Sequence, residues 1–116
     1  MKQYEIWWAL LPQPAGRRPV LLLSRDSAYQ YLNKFLAVEI TSTIRNIVVE
    51  VPLGRAEGMQ KNCVANFDNI RTISRSALVE RAGSLSSKRY SEVKNALGHA
   101  LGWDELIGQQ SAAPIN

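Results

Sequence analysis

Cysteine and histidine occur once each in these 116 residues, as Cys63 and His99. A single cysteine excludes an intrachain disulfide and gives no sign of an oxidising compartment. One cysteine and one histidine cannot build a zinc cluster, so no metal is expected. No glycine-rich phosphate loop of the Walker type occurs, and no cofactor is expected. No stretch approaches the roughly 20 apolar residues needed to span a bilayer. The opening Met1-Lys2-Gln3-Tyr4-Glu5 lacks the long apolar run of a secretory signal. A soluble, cytoplasmic protein with no membrane partner is the expectation. His99 falls late in a helical pattern, where it reads as a helix-end cation or a packing residue rather than a general base.

What is present is a basic, moderately hydrophobic chain. Fourteen Lys and Arg face ten Asp and Glu, giving a net charge of +4 and a pI near 9.5. That balance suits a polyanionic partner, nucleic acid or an acidic protein. Hydrophobic residues make up 46%, enough for one modest core. A domain this short buries a limited share of its surface alone, so association with a second copy or a partner would bury more.

Aromatic and β-branched residues from Tyr4 to Leu11 read as a first strand. Pro12-Gln13-Pro14-Ala15-Gly16 breaks it, and Arg17 and Arg18 stand at the far end of that loop. Pro19-Val20-Leu21-Leu22-Leu23 reads as a buried strand whose proline fits at its start. Residues 26–33 read as a loop or short helical turn. Strands are expected at Phe35 to Ile40, closed by Thr41-Ser42-Thr43, and at Ile47 to Leu53. A fifth spans Asn62 to Ile73, interrupted by Asn66, Asp68 and Asn69. A short sixth spans Ala77 to Arg81. Trp7 and Trp8 must point to opposite faces, so at most one is core and the other is exposed or at an interface. Ser86 and Ser87 are candidate N-caps for an amphipathic helix carrying Tyr90, Val93, Leu97, Ala100 and Leu101 on one face, with Gly102 just past its end. The expected fold class is mainly β: a small antiparallel barrel with a C-terminal α-helix packed on it. One domain is expected over residues 1–108, with a flexible tail at 109–116.

With metal and histidine chemistry set aside, the candidate functional groups are arginines and hydroxyls. Arg18, anchored by Pro19, is either a bidentate phosphate clamp or a solvated loop charge. Thr41 is either a site hydroxyl or one that satisfies a turn. Asn66-Phe67-Asp68-Asn69-Ile70-Arg71-Thr72 mixes residue types that read base edges and stack on unpaired bases. Alternatively, Asp68 and Arg71 form a local ion pair.

Together these residues resemble the MazF/PemK/Kid family of toxin endoribonucleases over residues 4–102. Tyr4-Glu5-Ile6-Trp7-Trp8-Ala9-Leu10 is similar to the family's first strand, G-[DE]-I-[WY]-x-[VA]-x-[LF]. Arg17-Arg18-Pro19-Val20-Leu21 is similar to R-P-V-[LV]-[IV], and Ile40-Thr41-Ser42 to [LI]-T-[ST]. Asp68-Asn69-Ile70-Arg71-Thr72-Ile73 is similar to D-Q-[IP]-R-T-[IV]. Leu97 to Gly102 resembles the end of the closing helix.

The resemblance implies an SH3-like barrel of the CcdB–MazF type, a homodimer, and metal-independent cleavage of single-stranded RNA, messenger RNA above all. It implies attack by the ribose 2′-hydroxyl, leaving a 2′,3′-cyclic phosphate and a 5′-hydroxyl. Arg18 would then stabilise the phosphorane and serve in acid–base steps, and Thr41 would bond the phosphate. Arg17, Ser42, Asn66, Asp68, Asn69 and Arg71 would contact substrate, Asp68 and Arg71 being structural in the alternative. An acidic antitoxin that folds along the dimer is the implied partner, the complex being the DNA-binding form. Two features depart from the family pattern. The loop before Arg18 is short, and Asn66 stands where some relatives have arginine, which weakens an Asp68-based acid–base pair. Two other functions fit a barrel of this kind: a CcdB-like gyrase poison, to which Gly102-Trp103 bears a partial likeness, and a nucleic-acid-binding barrel without chemistry.

Overall fold

Short runs of β-branched and aromatic residues, separated by turn-forming stretches, fold into six strands. The structure is a computed structural model that describes residues 1–108; the tail expected at 109–116 lies outside the described residues. The strands are β1 (Glu5–Leu10), β2 (Arg17–Leu22), β3 (Lys34–Thr41), β4 (Glu50–Leu53), β5 (Cys63–Ser74) and β6 (Leu78–Ser84). One turn of helix, α1 (Ala28–Tyr31), precedes β3, and α2 (Tyr90–Leu101) follows β6. All pairings are antiparallel, in the order β4-β5-β3-β2-β1-β6.

The sheet curls into a barrel with a C-terminal helix, as the pattern of short strands predicts. β4 and β6 are its edges, and they do not pair with each other. Closure comes from the 3-10 turn after β4 (Arg55–Glu57) and the glycine behind it. The backbones of Glu57 and Gly58 lie directly against those of Ala82 and Gly83 in β6. A Cβ on either glycine would overlap the opposing main chain, and Gly58 also has φ +92°. Glycine is therefore required on both sides of the seam.

Alternation along the strands builds two apolar clusters. Ile6, Leu21, Val38, Ile40, Val51, Ala65 and Phe67 face α2, which adds Val93 and Ala96. Ala9, Val20, Leu22, Phe35, Ala37 and Ile73 form the other cluster, covered by Ala28 and Tyr29 of α1. Ser86 Oγ accepts the Lys88 N–H, and a 3-10 turn leads into α2, which ends at a left-handed Gly102. The helix face differs in two positions from the periodic reading: Leu101 is exposed and Ala96 is buried. Arg89 clamps the helix start to the barrel, bonding Glu57 at 3.2 Å, Glu92 at 2.7 Å and the Pro52 carbonyl at 2.7 Å.

Two strand starts differ from expectation, and β6 runs on to Ser84 rather than ending at Arg81. Arg17 and Arg18 belong to β2 rather than to the preceding loop, because Leu11 N–H to Gly16 C=O closes that loop as a tight hairpin and pairing begins at once. Pro19 is accommodated because β3 reaches β2 only from Val20 onward. β4 begins at Glu50, not Ile47. The Glu50 carboxylate accepts the backbone N–H of Arg45 and Asn46, and its own N–H bonds the Ile47 carbonyl. This local turn overrides the strand propensity of Ile47 and Val48, which stand exposed.

Candidate active site

The ends of β1, β2 and β3 meet the segment leading into β5 at one mouth of the barrel. Between them opens a cleft of about 660 Å³. β2 supplies Arg17, Arg18 and Pro19, and β3 supplies Ile40 and Thr41, continued by Ser42 and Thr43. Trp8 comes from β1, and Met59, Gln60, Lys61 and Cys63 form the opposite wall. The titratable cations of this lining are Arg17, Arg18 and Lys61, and no carboxylate shares it. Such a wall of guanidinium, ammonium and hydroxyl groups can hold a phosphodiester by charge-assisted hydrogen bonds.

The register explains how these side chains come together. Residues opposite one another in an antiparallel ladder share a face. Arg18 lies two residues before Val20, Val20 pairs with Glu39, and Thr41 follows Glu39 by two. Arg71 pairs with Ala37, two residues before Glu39. Arg18, Glu39, Thr41 and Arg71 therefore stand on one face of three neighbouring strands. Arg71 Nη1 donates to Glu39 Oε2 at 2.8 Å, and Arg18 Nε lies 3.9 Å from Glu39 Oε1. Thr41 Oγ1 accepts the Thr43 N–H at 3.1 Å, which leaves its own O–H to donate elsewhere.

Arg17 leaves the opposite face of β2 and reaches the cleft beside Trp8. Its guanidinium stacks 4.4 Å over the Trp8 ring and pairs with Glu80 of β6. Trp7 and Trp8 do diverge: Trp7 packs against the Ala9–Val20 cluster, while Trp8 lines the cleft. Asn66, Asp68 and Asn69 lie outside the cleft lining. They form a bulge in β5, where the ladder to β3 jumps from Ile70 opposite Val38 to Ala65 opposite Ile40. Asn66 is buried, and its amide oxygen accepts the Asp68 N–H at 2.9 Å. Asp68 and Asn69 are exposed. Asp68 has no ion pair with Arg71, whose carboxylate partner is Glu39.

Sequence reasoning passed over Gln60, Lys61 and Glu39. Nothing local marks the first two, which enter the cleft only through the barrel's closure. Glu39 left one signal, a lone carboxylate in the apolar run from Phe35 to Ile40. Cys63 lines the cleft as a buried thiol, pushed up by burial and by the nearby Glu57 carboxylate. His99 lies outside the cleft lining, in the last turn of α2. No group of three or more metal-ligating side chains occurs among the described residues, and no helix there is long and apolar enough to cross a membrane.

Residues 2–101 match the family model described as the PemK-like, MazF-like toxin of type II toxin–antitoxin systems. The chain belongs to this family. It is 37% identical over 103 residues to the Mycobacterium tuberculosis protein named "Probable endoribonuclease MazF2", covering 88% of this chain and 99% of that one. The structure of the M. tuberculosis toxin MazF-mt6 superposes with a TM-score of 0.80 at 30% identity, covering 84% of this chain and 96% of that one. A MazE–MazF structure from Deinococcus radiodurans gives 0.72 at 26%, covering 88% and 96%. The MazF-like fold thus places the arginine–threonine pair of this toxin at the mouth of its barrel.

Proposed function

We propose that this MazF-like toxin is an endoribonuclease that cuts single-stranded RNA, messenger RNA above all, in the cytoplasm and without a metal ion. Its family and its endoribonuclease-named relatives support RNA cleavage. The observation that carries the site is the convergence of Arg18 and Thr41 on a cleft with three cations and no carboxylate in its lining.

In the reaction the ribose 2′-hydroxyl attacks the adjacent phosphorus and the P–O5′ bond breaks. The products are a 2′,3′-cyclic phosphate and a 5′-hydroxyl. Charge accumulates on the non-bridging oxygens, and Arg18, fixed in a strand beside Pro19, meets it as a pre-oriented cation. Arg18 also serves in the proton transfers, and the Thr41 hydroxyl donates to the phosphate. Because the nucleophile belongs to the substrate, the protein's main task is positioning. Arg17, Ser42 and Lys61 bind flanking phosphates. Trp8 offers an edge for a base, and Asp68, Asn69 and Arg71 extend the path along β5, with Asn66 shaping the bulge that carries them. The active form is a homodimer, restrained by an acidic antitoxin segment suited to the basic surface.

The test is cleavage of a long single-stranded RNA in chelator, mapped by primer extension. The parent protein gives discrete cuts with cyclic-phosphate ends, and Arg18→Ala slows them by about 10³-fold while remaining folded. Cleavage by Arg18→Ala at the parent rate would remove Arg18 from the chemistry.

A further inference from the structure

Glu39 is the carboxylate that faces Arg18, and the apolar clusters make no use of it. It stands near the C-terminal end of β3, between Arg18 on β2 and Arg71 on β5. The β5 bulge makes this possible: Val38 and Ile40 have ladder partners on β5, and Glu39 between them has none. The excursion of Asn66 to Asn69 passes opposite Glu39 and leaves its carboxylate room to take both guanidiniums. The carboxylate is only one-fifth exposed, so its attraction is screened less than that of a surface pair.

The two oxygens divide their work. Oε2 accepts from Arg71 at 2.8 Å, and Oε1 faces the Nε edge of Arg18 at 3.9 Å. Among the described residues this is the one side-chain partner of Arg18, and it leaves both Nη groups unengaged. An arginine approached at Nε keeps its other edge for a phosphate.

We propose that Glu39 is a positioning residue of this site. It orients the Arg18 guanidinium through Nε and offsets the charge of Arg71 beside the RNA path. This rests on the reading that Arg18 faces the scissile phosphate. Glu39 acts through Arg18 and does not itself touch the reacting atoms.

The experiment compares the parent protein, Arg18→Ala and Glu39→Gln on a short single-stranded RNA carrying the mapped cut site. Two quantities are read: kcat and KM separately, and the ¹⁵N-resolved Nε–H resonance of Arg18 in the RNA-free protein. In Glu39→Gln the kcat falls by about 10- to 100-fold, the cost of a misplaced catalytic group. KM falls by about threefold, because a negative charge has left the RNA path, and the log–log salt slope of binding steepens by about 0.7. The Arg18 Nε–H resonance shifts, because a carboxylate 3.9 Å from it has been neutralised.

A lowered melting temperature with unchanged kcat and KM would make Glu39 a sheet stitch and overturn the proposal. An unmoved Arg18 resonance would overturn it as well, including the case in which the mutant loses the acidic limb of its kcat–pH profile and the carboxylate itself transfers the proton. Failure of the underlying reading is separable: Arg18→Ala would then cleave at the parent rate, whatever Glu39→Gln does.

Discussion

Thr41 closes a turn of the fold and, in the proposed reaction, also serves the chemistry. Its oxygen receives the Thr43 N–H at the point where β3 ends, and its proton remains for a ligand. Thr41→Val keeps the shape and removes the hydroxyl. It should slow RNA cleavage by about 10²-fold, the scale of one lost donor to developing charge, with single-turnover kinetics as the measurement. An equal rate in the mutant would reduce Thr41 to a turn-closing residue. Arg18 and Thr41 stood out in the sequence as candidates because short motifs flank them, R-P-V and I-T-S, and both line the cleft. Their shared face was not, since it depends on the register of β2 against β3. Glu39 was illegible for the same reason: its two partners lie 21 residues before it (39 − 18) and 32 after it (71 − 39).

At the scale of elements, the β5 bulge and the α2 start each rest on a few polar groups. Asn66 is buried, with its amide oxygen committed to the bulge. Asn66→Ala should cost about 1–2 kcal/mol, the range for stranding a partly buried donor, read as a fall in the urea midpoint. A mutant that instead raises KM at constant midpoint would make Asn66 a substrate contact. At α2, the Arg89 hydrogen bonds hold the Glu92 carboxyl below its usual range, against some burial. A carboxyl depressed in the folded state stabilises the protein above its unfolded value, here 4.5, and that contribution is lost as the pH falls through the folded value. Thermal melts between pH 6 and pH 3 should therefore show a smaller acid-side decline for Glu92→Gln than for the parent. Parallel declines would mean that the Arg89 pair carries no pH-dependent stability. The helix itself was readable from its period of three and four and from Ser86 and Gly102. The start of β4 was not, because the turn at Glu50 depends on one side chain bonding two backbone N–H groups behind it.

Over the whole molecule, six strands and a closing helix followed from the alternation of apolar runs and turn residues. How the sheet shuts did not, since the seam joins residues some 25 apart through main-chain contact alone (83 − 58). Gly58→Ala places a methyl against the Ala82 carbonyl at a positive φ. It should cost about 1–3 kcal/mol or more, visible as a lowered thermal midpoint. A midpoint within 1 °C of the parent's, roughly a few tenths of a kcal/mol for this size, would show that the seam yields. That seam carries no ladder hydrogen bonds, and the Met59-Gln60-Lys61 wall of the cleft begins one residue beyond it. Met59 is held in the core, but the exposed Gln60 and Lys61 can therefore change without disturbing a single strand pairing. On the proposed reading, fold and RNA preference are in this sense separately heritable: duplicated copies of such a gene would differ in the wall that meets the RNA while the scaffold that carries Arg18 is passed on intact.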